Sequence, residues 1–306
     1  MPRAVPLGLQ PLQGAERRES AVSRIVFAFM YALHFFPLVV VAAIGNAVGA
    51  IAFWLIPERR QVTRINLQKC FPQLAEEERE RLARAHFRAF CRSFIERGIL
   101  WWAPRARIEQ LVRIDGLENL PKGRRTIVFA PHFVGLDATL SRLSLERPVA
   151  MMYSRQKDPL FESLMLRGRT RFGGRMFPRQ AGVKEGLQAI ESGALYYYLP
   201  DLDYGPKRSV FVPFFGVPAA TVTGLSYIAR ETNAAVVPCV TRMLPGGEGY
   251  RATLYPAWKD FPSGDDVADA RRMLAFVEER VREMPEQYFW LHKRFKTRPE
   301  GEARFY

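Results

Sequence analysis

The chain has 306 residues, 48% of them hydrophobic, and no low-complexity tract. This composition excludes a disordered chain and predicts one large core or two modest ones. The formal net charge of +14 predicts an acidic partner, whether nucleic acid, anionic lipid or an acidic protein, against the alternative of a merely solvated basic surface. The three cysteines lie far apart without a CxxC spacing, which argues against a zinc site and favours a reducing compartment.

A hydrophobic segment, residues 25–56, follows a basic N-terminal segment, residues 1–24, and contains no Asp, Glu, Lys or Arg. Pro37 divides it, and residues 38–56 approach the roughly 20 residues that cross a bilayer. Three interpretations stay open: a spanning helix, an interfacial or re-entrant anchor, and a buried hydrophobic hairpin. We expect membrane attachment, because the segment is far more apolar than ordinary soluble helices. Basic residues on both sides give no clear orientation.

The rest of the chain divides into a helical region, residues 57–112, and an α/β core, residues 113–306. Short apolar runs of strand type alternate with helical patterns in the core, which predicts a mostly parallel sheet flanked by helices. The predicted strands are residues 126–130, 148–153, 194–200, 235–244 and 250–256. The predicted helices are residues 136–145, 158–170, 182–192, 222–232 and 265–283. Sites in such sheets form beyond the carboxyl ends of the strands.

His132 follows directly after the first predicted core strand, and Asp137 comes five residues later. Five residues on one regular helix would place the two side chains roughly 140° apart. They can meet if His132 lies in the turn and Asp137 in the first helical turn. A carboxylate on one ring nitrogen would fix the tautomer and leave the other nitrogen to take a proton from a hydroxyl. No G-x-S-x-G motif is present, so a substrate alcohol is the more plausible nucleophile than a serine.

Longer motifs carry a resemblance over nearly the whole chain. They are "PEQYFWLHKRFKTRPEG" (285–301), "YYYLPDLDYGPKRSVFVPFFGVPAATVTG" (196–224), "SRQKDPLFESLMLRGRTRFGG" (154–174) and "RINLQKCFP" (64–72). With the H-x4-D box, they resemble the late acyltransferases of lipid A biosynthesis, the lauroyl and myristoyl transferases within the wider lysophospholipid acyltransferase superfamily. Many members of that family carry Glu where this chain has Asp137.

The resemblance implies transfer of a fatty acyl group from acyl-acyl carrier protein to a hydroxyl of a hydroxyacyl chain on a Kdo-bearing lipid A precursor, without another cofactor. It implies a glycerolipid acyltransferase-like fold, with His132 as general base and Asp137 orienting it. Arg169 matches the arginine that the family uses near this centre, where a cation would stabilise the oxyanion. Arg155 and Arg171 are expected to bind phosphate or carboxylate groups of the substrate. Asp201 is expected to face the site and to order an arginine or the acceptor.

These expectations place the active site on the cytoplasmic side of the bacterial inner membrane, because carrier protein is cytosolic. The expected partners are acyl carrier protein, the Kdo-bearing precursor and anionic membrane lipid. Nucleic acid is not expected, although "WLHKRFKTRP" is a basic patch with aromatic residues. No metal site is expected, because no further His or carboxylate cluster accompanies Asp201. The alternatives are an acyltransferase with another lipid acceptor, a hydrolase, and a non-enzymatic basic membrane scaffold.

Overall fold

A computed structural model describes residues 21–306, so residues 1–20 of the predicted basic segment lie outside the described residues. A seven-stranded sheet with the order β1-β9-β8-β2-β5-β3-β4 forms its centre. The strands are β1 Val112–Asp115, β2 Thr126–Phe129, β3 Val149–Tyr153, β4 Arg175–Pro178, β5 Leu195–Tyr198, β6 Ser209–Phe214, β7 Val217–Val222, β8 Ala235–Met243 and β9 Tyr250–Leu254. Strands β6 and β7 form a separate antiparallel hairpin.

Helices cover the sheet and precede it. They are α1 Ala21–Leu33, α2 Leu38–Leu55, α3 Pro57–Cys70, α4 Glu76–Trp102, α5 Arg105–Leu111, α6 Leu136–Leu143, α7 Pro159–Thr170, α8 Lys184–Glu191, α9 Gly224–Thr232 and α10 Asp266–Glu283. The C-terminal segment, residues 285–306, has little regular structure but buries Tyr288, Trp290 and Phe295 completely. These aromatic side chains join the core, so the segment is part of the fold.

The pairing within the sheet confirms the predicted α/β class. Strand β2 pairs in parallel with β5 and β8, and β3 pairs in parallel with β4 and β5. Only β9 is antiparallel to its neighbour β8 among the described strands of this sheet. All four residues of β2 are buried, as expected for a central strand covered on both faces. Three features were not predicted: the edge strands β1 and β4, and the β6–β7 hairpin.

The hydrophobic segment forms two helices separated at Pro37, where the sequence predicted a division. Helix α2 is long and apolar enough to cross a membrane, but it packs along α4. A Cβ on Gly45 would lie 2.5 Å from Arg92 Cα, and one on Gly49 would lie 2.5 Å from Arg88 Cα. Glycines one turn apart therefore let the two helix backbones lie in contact.

The other faces of α1 and α2 leave large apolar side chains exposed. Ile51 is 58% exposed, Trp54 60% and Leu55 74%, and Ile25 on α1 is 69% exposed. Soluble monomers rarely expose continuous apolar surface of this kind, which marks a lipid or protein interface. This surface is consistent with the expected membrane association.

Candidate active site

His132 lies just past the carboxyl end of β2, at the centre of the sheet. Its backbone is held on both sides: the His132 N–H donates to Asp201 Oδ2 at 3.0 Å, and its carbonyl accepts from Phe289 N–H at 3.0 Å. The imidazole ring stacks against the Phe289 ring with centroids 6.3 Å apart. The position of this ring is therefore set by contacts from two distant parts of the chain.

The carboxylate on the His132 ring is Asp201, which corrects the expectation that it would be Asp137. Asp201 Oδ1 lies 2.7 Å from His132 Nδ1. Asp201 follows β5, and β2 and β5 are parallel neighbours, so their carboxyl ends meet at one edge of the sheet. Asp201 therefore orients the His132 ring directly, whereas the sequence assigned it to an arginine or the acceptor.

The tautomer of His132 follows from the state of Asp201. Burial alone would raise the pKa of Asp201, but the charge and hydrogen bonds of His132 outweigh it and lower that pKa below its usual value. An ionised carboxylate only accepts hydrogen bonds, so in the neutral ring Nδ1 carries the proton and Nε2 keeps the free lone pair. Within residues 21–306 no hydrogen bond engages Nε2, and His132 lines a large cavity. The ring is thus prepared to accept a proton from that cavity.

The C-terminal segment completes this arrangement. The Tyr288 hydroxyl donates to Asp201 Oδ2 at 3.1 Å, and both residues are fully buried. Asp203, two residues beyond Asp201, instead accepts from Thr297 N–H at 2.7 Å and from the Thr297 hydroxyl at 2.9 Å. One carboxylate of "PDLDYG" therefore serves the histidine, and the other holds the C-terminal segment in place. The sequence marked this segment as a signature but gave no sign of the Tyr288 contact.

Asp137 lies in the first turn of α6 between two arginines. Asp137 Oδ1 accepts from Arg169 Nε at 2.8 Å, and Asp137 Oδ2 lies 2.7 Å from Arg97 Nε. Burial alone would raise the pKa of Asp137, but these two guanidinium groups outweigh it and lower that pKa. Two partly buried arginines and one buried carboxylate leave a net positive charge here. Arg169 therefore places a positive charge beside His132 and the cavity. Arg97 belongs to the same cluster, although the sequence analysis did not single it out.

The cavity that His132, Arg97 and Arg169 line has a volume of about 1150 Å³. Apolar side chains from α4, β3 and α7, including Phe94, Met151 and Met165, form part of its wall. Protein pockets for small molecules commonly measure about 300–1,000 Å³ and are mostly apolar. A cavity of this size and lining suits a long acyl chain together with part of a second substrate.

The two other arginines predicted to bind substrate lie elsewhere. Arg171 donates to the carbonyls of Leu100 at 3.2 Å and Ala103 at 2.6 Å, at the end of α4. These contacts fasten α7 to α4, and Arg171 is absent from the described lining of the cavity, so its expected role in substrate binding stays a prediction. Arg155 is exposed after β3 and is absent from the described cavity lining, although its neighbours Ser154 and Gln156 contribute to it.

Cysteine chemistry finds no support at this site. Burial raises the pKa of Cys91 to about 11 and that of Cys239 to about 12, so both thiols stay protonated at neutral pH. Among the described residues, no group of three or more His, Cys, Asp and Glu side chains is arranged to hold a metal ion. His132 is therefore, among the described residues, the side chain whose hydrogen bonds suit it for acid–base chemistry.

Comparison with known proteins decides the family. The family model of bacterial lipid A biosynthesis acyltransferases matches residues 17–297. The chain belongs to this family. A lipid A biosynthesis lauroyltransferase of Escherichia coli K12 is 34% identical over 270 residues, 87% of this chain and 88% of the relative. The palmitoleoyltransferase of the same strain is 32% identical over 88% of this chain and 89% of the relative, and its myristoyltransferase is 32% identical over 87% and 83%.

The match confirms the resemblance and the expected class of enzyme, an acyltransferase of lipid A biosynthesis. It excludes the alternative of a non-enzymatic scaffold. A solved 1-acyl-sn-glycerophosphate acyltransferase from Thermotoga maritima covers 79% of this chain and 97% of its own, with 18% identity and a TM-score of 0.38. The bacterial lipid A relatives and the exposed apolar helix α2 are together consistent with membrane association.

Proposed function

We infer that this chain transfers a fatty acyl group from acyl-acyl carrier protein to a hydroxyl of a hydroxyacyl chain on a Kdo-bearing lipid A precursor. The observation that carries the proposal is the His132–Asp201 hydrogen bond of 2.7 Å at the wall of a cavity of about 1150 Å³. Family membership supports the reaction class. The position of His132 at the cavity supports its role as the general base of that reaction.

The chemical step begins when His132 Nε2 takes the proton of the acceptor hydroxyl. Asp201 stabilises the imidazolium that forms, while its hydrogen bond to Nδ1 keeps Nε2 directed to the cavity. The hydroxyl oxygen attacks the thioester carbonyl carbon and forms a tetrahedral oxyanion. When the C–S bond breaks, the thiolate of the donor takes the proton from the imidazolium. The products are an ester on the acceptor and a free thiol on the carrier.

The positive charges of Arg97 and Arg169 around Asp137 would stabilise the oxyanion that forms in this step. Arg169 and Arg97 are partly buried and fixed by one carboxylate, so they need little reorganisation when negative charge develops nearby. Asp137 thus acts as a positioning residue for the arginines, while the family resemblance had implied that it orients the histidine. The H-x4-D box keeps both residues in one site with separate roles.

The donor and the location complete the proposal. The net charge of +14 suits an acidic carrier protein as well as anionic membrane lipid. Since the carrier is cytosolic, the site faces the cytoplasmic side of the bacterial inner membrane. The exposed apolar surface of α1 and α2 would bring the cavity to the lipid that carries the acceptor.

An acyl-transfer assay tests this function. Purified protein in detergent micelles receives acyl-carrier proteins of several chain lengths and Kdo-modified tetra-acylated lipid A precursor, and products are measured by mass spectrometry. We expect a mass gain of one acyl chain that His132→Ala abolishes while circular dichroism stays unchanged. Folded wild-type protein that transfers no chain to this acceptor would overturn the lipid A assignment. Transfer to a lysophospholipid instead would favour the alternative acceptor.

A further inference from the structure

The cavity has a second wall that the proposed chemistry does not use. It carries four cationic side chains contributed by three separate parts of the fold. They are Arg179, Lys207, Arg208 and Arg230. All four are exposed around the cavity, in contrast to the partly buried Arg97 and Arg169.

The fold brings these cations together through defined contacts. The Thr223 N–H donates to the Arg208 carbonyl at 3.2 Å, which places Arg208 opposite the start of α9. Thr223, Tyr227 and Arg230 line the cavity at helical spacings of four and three residues, so they share one face. Arg179 stacks over the Tyr204 ring, with its Cζ 4.6 Å from the ring centre, beside the loop that carries Lys207.

Acidic partners for this cluster are scarce. Within residues 21–306, Arg179, Lys207 and Arg208 form no ion pair, and Arg230 has only a loose one, 3.8 Å from Asp266. Asp266 lines the same cavity, so the four cations leave a surplus of positive charge there, which attracts an anion from solution. Arg208 also has φ +56°, a conformation that costs a non-glycine residue energy and that is concentrated at ligand-binding positions.

We propose that Arg179, Lys207, Arg208 and Arg230 form a subsite for a phosphate group of the acceptor lipid. Guanidinium groups bind phosphate oxygens in pairs, and an ammonium group adds a point charge, so this set suits a phosphate monoester. The apolar wall of α4, β3 and α7 then takes the acyl chain, while the cationic wall takes the charged head of the acceptor. This subsite rests on the transfer proposed above and specifies how its acceptor is recognised.

The test compares Lys207→Gln/Arg208→Gln with a matched control, Arg113→Gln/Lys122→Gln. Both variants lose two positive charges, and the control residues are exposed but do not line the described cavity. KM is measured separately for the acyl carrier protein and for two acceptors: the bis-phosphorylated Kdo-modified precursor and its monophosphoryl form. We expect the first variant to raise KM for the bis-phosphorylated acceptor roughly 10- to 100-fold, with kcat nearly unchanged. The control should stay within about 2-fold of wild type.

Removal of the recognised phosphate from the acceptor should abolish most of the difference between the two variants. A rise in KM for the carrier protein instead would overturn the proposal, because the cluster would then bind the donor. Equal effects of the two double variants, or equal losses with both acceptors, would overturn it as well.

A binding measurement separates this proposal from the proposed function. Calorimetric titration of the bis-phosphorylated precursor in micelles is performed with His132→Ala, with and without Lys207→Gln/Arg208→Gln. Weaker binding in the combined variant supports the subsite even if wild-type protein transfers no acyl chain. Unchanged binding overturns the subsite even if transfer is observed.

Discussion

Asp137 and Asp201 are both buried carboxylates beside the same cavity, yet their partners differ in kind. Asp137 is five residues from His132 in sequence and binds Arg97 and Arg169. Asp201 is 69 residues away and binds both the His132 ring and its backbone N–H. Strand order, more than closeness in sequence, therefore decides which carboxylate contacts His132. The carboxylate that reaches the ring follows β5, the parallel neighbour of β2.

The two carboxylates also lie in environments that suit different parts of the proposed reaction. Asp201 with Tyr288 and His132 forms a chain of hydrogen bonds that suits the proposed transfer of a proton. Asp137 with two arginines forms a fixed positive charge that suits a developing oxyanion. Substitutions on the two sides should therefore give distinguishable kinetic effects.

The largest effect is expected from Asp201→Asn. The amide would donate a hydrogen bond to Nδ1 and favour the tautomer that places the proton on Nε2, where the base must be free. We predict that kcat falls by about 10²- to 10⁴-fold with little change in KM. Steady-state acyl-transfer kinetics measure it, with circular dichroism as the check of folding. A variant of near wild-type kcat would break the assignment of Asp201 to the base.

Arg169→Met should come next, on the Asp137 side. Loss of one preorganised donor to an oxyanion costs about 10²- to 10³-fold in kcat, and we predict a loss in that range. Arg167→Met is the matched control, because Arg167 is an exposed residue on the same helix. Comparable losses in both variants would show that charge on α7, and not the position of Arg169, matters for transfer.

A smaller effect is expected from Tyr288→Phe. This substitution removes one of the hydrogen bonds to Asp201 while keeping the ring packed in the core. We predict a loss of kcat of roughly 2- to 10-fold, the equivalent of one ordinary hydrogen bond. Tyr197→Phe is the control, since the Tyr197 hydroxyl donates to the Leu136 carbonyl at 3.1 Å and not to Asp201. A loss of kcat in the control equal to that of Tyr288→Phe would remove Tyr288 from the proton-handling side.

The smallest effect on transfer is expected from His86→Gln, which should change only the stability of the fold at acidic pH. Burial lowers the pKa of His86 to about 4, so the unfolded chain binds this proton first as pH falls. The free energy of unfolding therefore decreases between about pH 6.5 and pH 4, and this residue accounts for roughly 2 kcal/mol of the loss by pH 5. Urea unfolding at pH 7 and pH 5 should show a flatter pH dependence for His86→Gln, with kcat unchanged. An unaltered pH dependence would contradict the buried neutral state.

Much of the fold could be predicted from the sequence, because buried parallel strands leave continuous apolar runs. Strands β2, β3, β5 and β8 each carry such a run and were predicted within a few residues of their ends. Strand β9 was predicted equally well, although buried and more exposed residues alternate along it. The edge strands β1 and β4 were missed, since "VRID" and "RMFP" are only four residues long and neither is a continuous run of buried residues. Pro37 correctly predicted the division of the hydrophobic segment.

The members of the site were easier to predict than their pairing. His132, Asp137, Arg169 and Asp201 do lie together, and motif resemblance pointed to each of them. Their partners depend on strand order, which places β5 next to β2 and thus Asp201 on His132. Arg97 and Tyr288 come from α4 and the C-terminal segment, and short sequence spacing gives no signal for such contacts.

The most direct test of this division is nitrogen NMR of the His132 ring. Protein labelled with ¹⁵N-histidine, with His132→Gln used to assign the signal, would be compared with Asp201→Asn and Asp137→Asn at neutral pH. The account predicts a protonated Nδ1 and an unprotonated Nε2 in the wild type. Asp201→Asn should alter that pattern, and Asp137→Asn should leave it intact while slowing transfer. A pattern that changes with Asp137→Asn but survives Asp201→Asn would contradict the assignment of the two carboxylates.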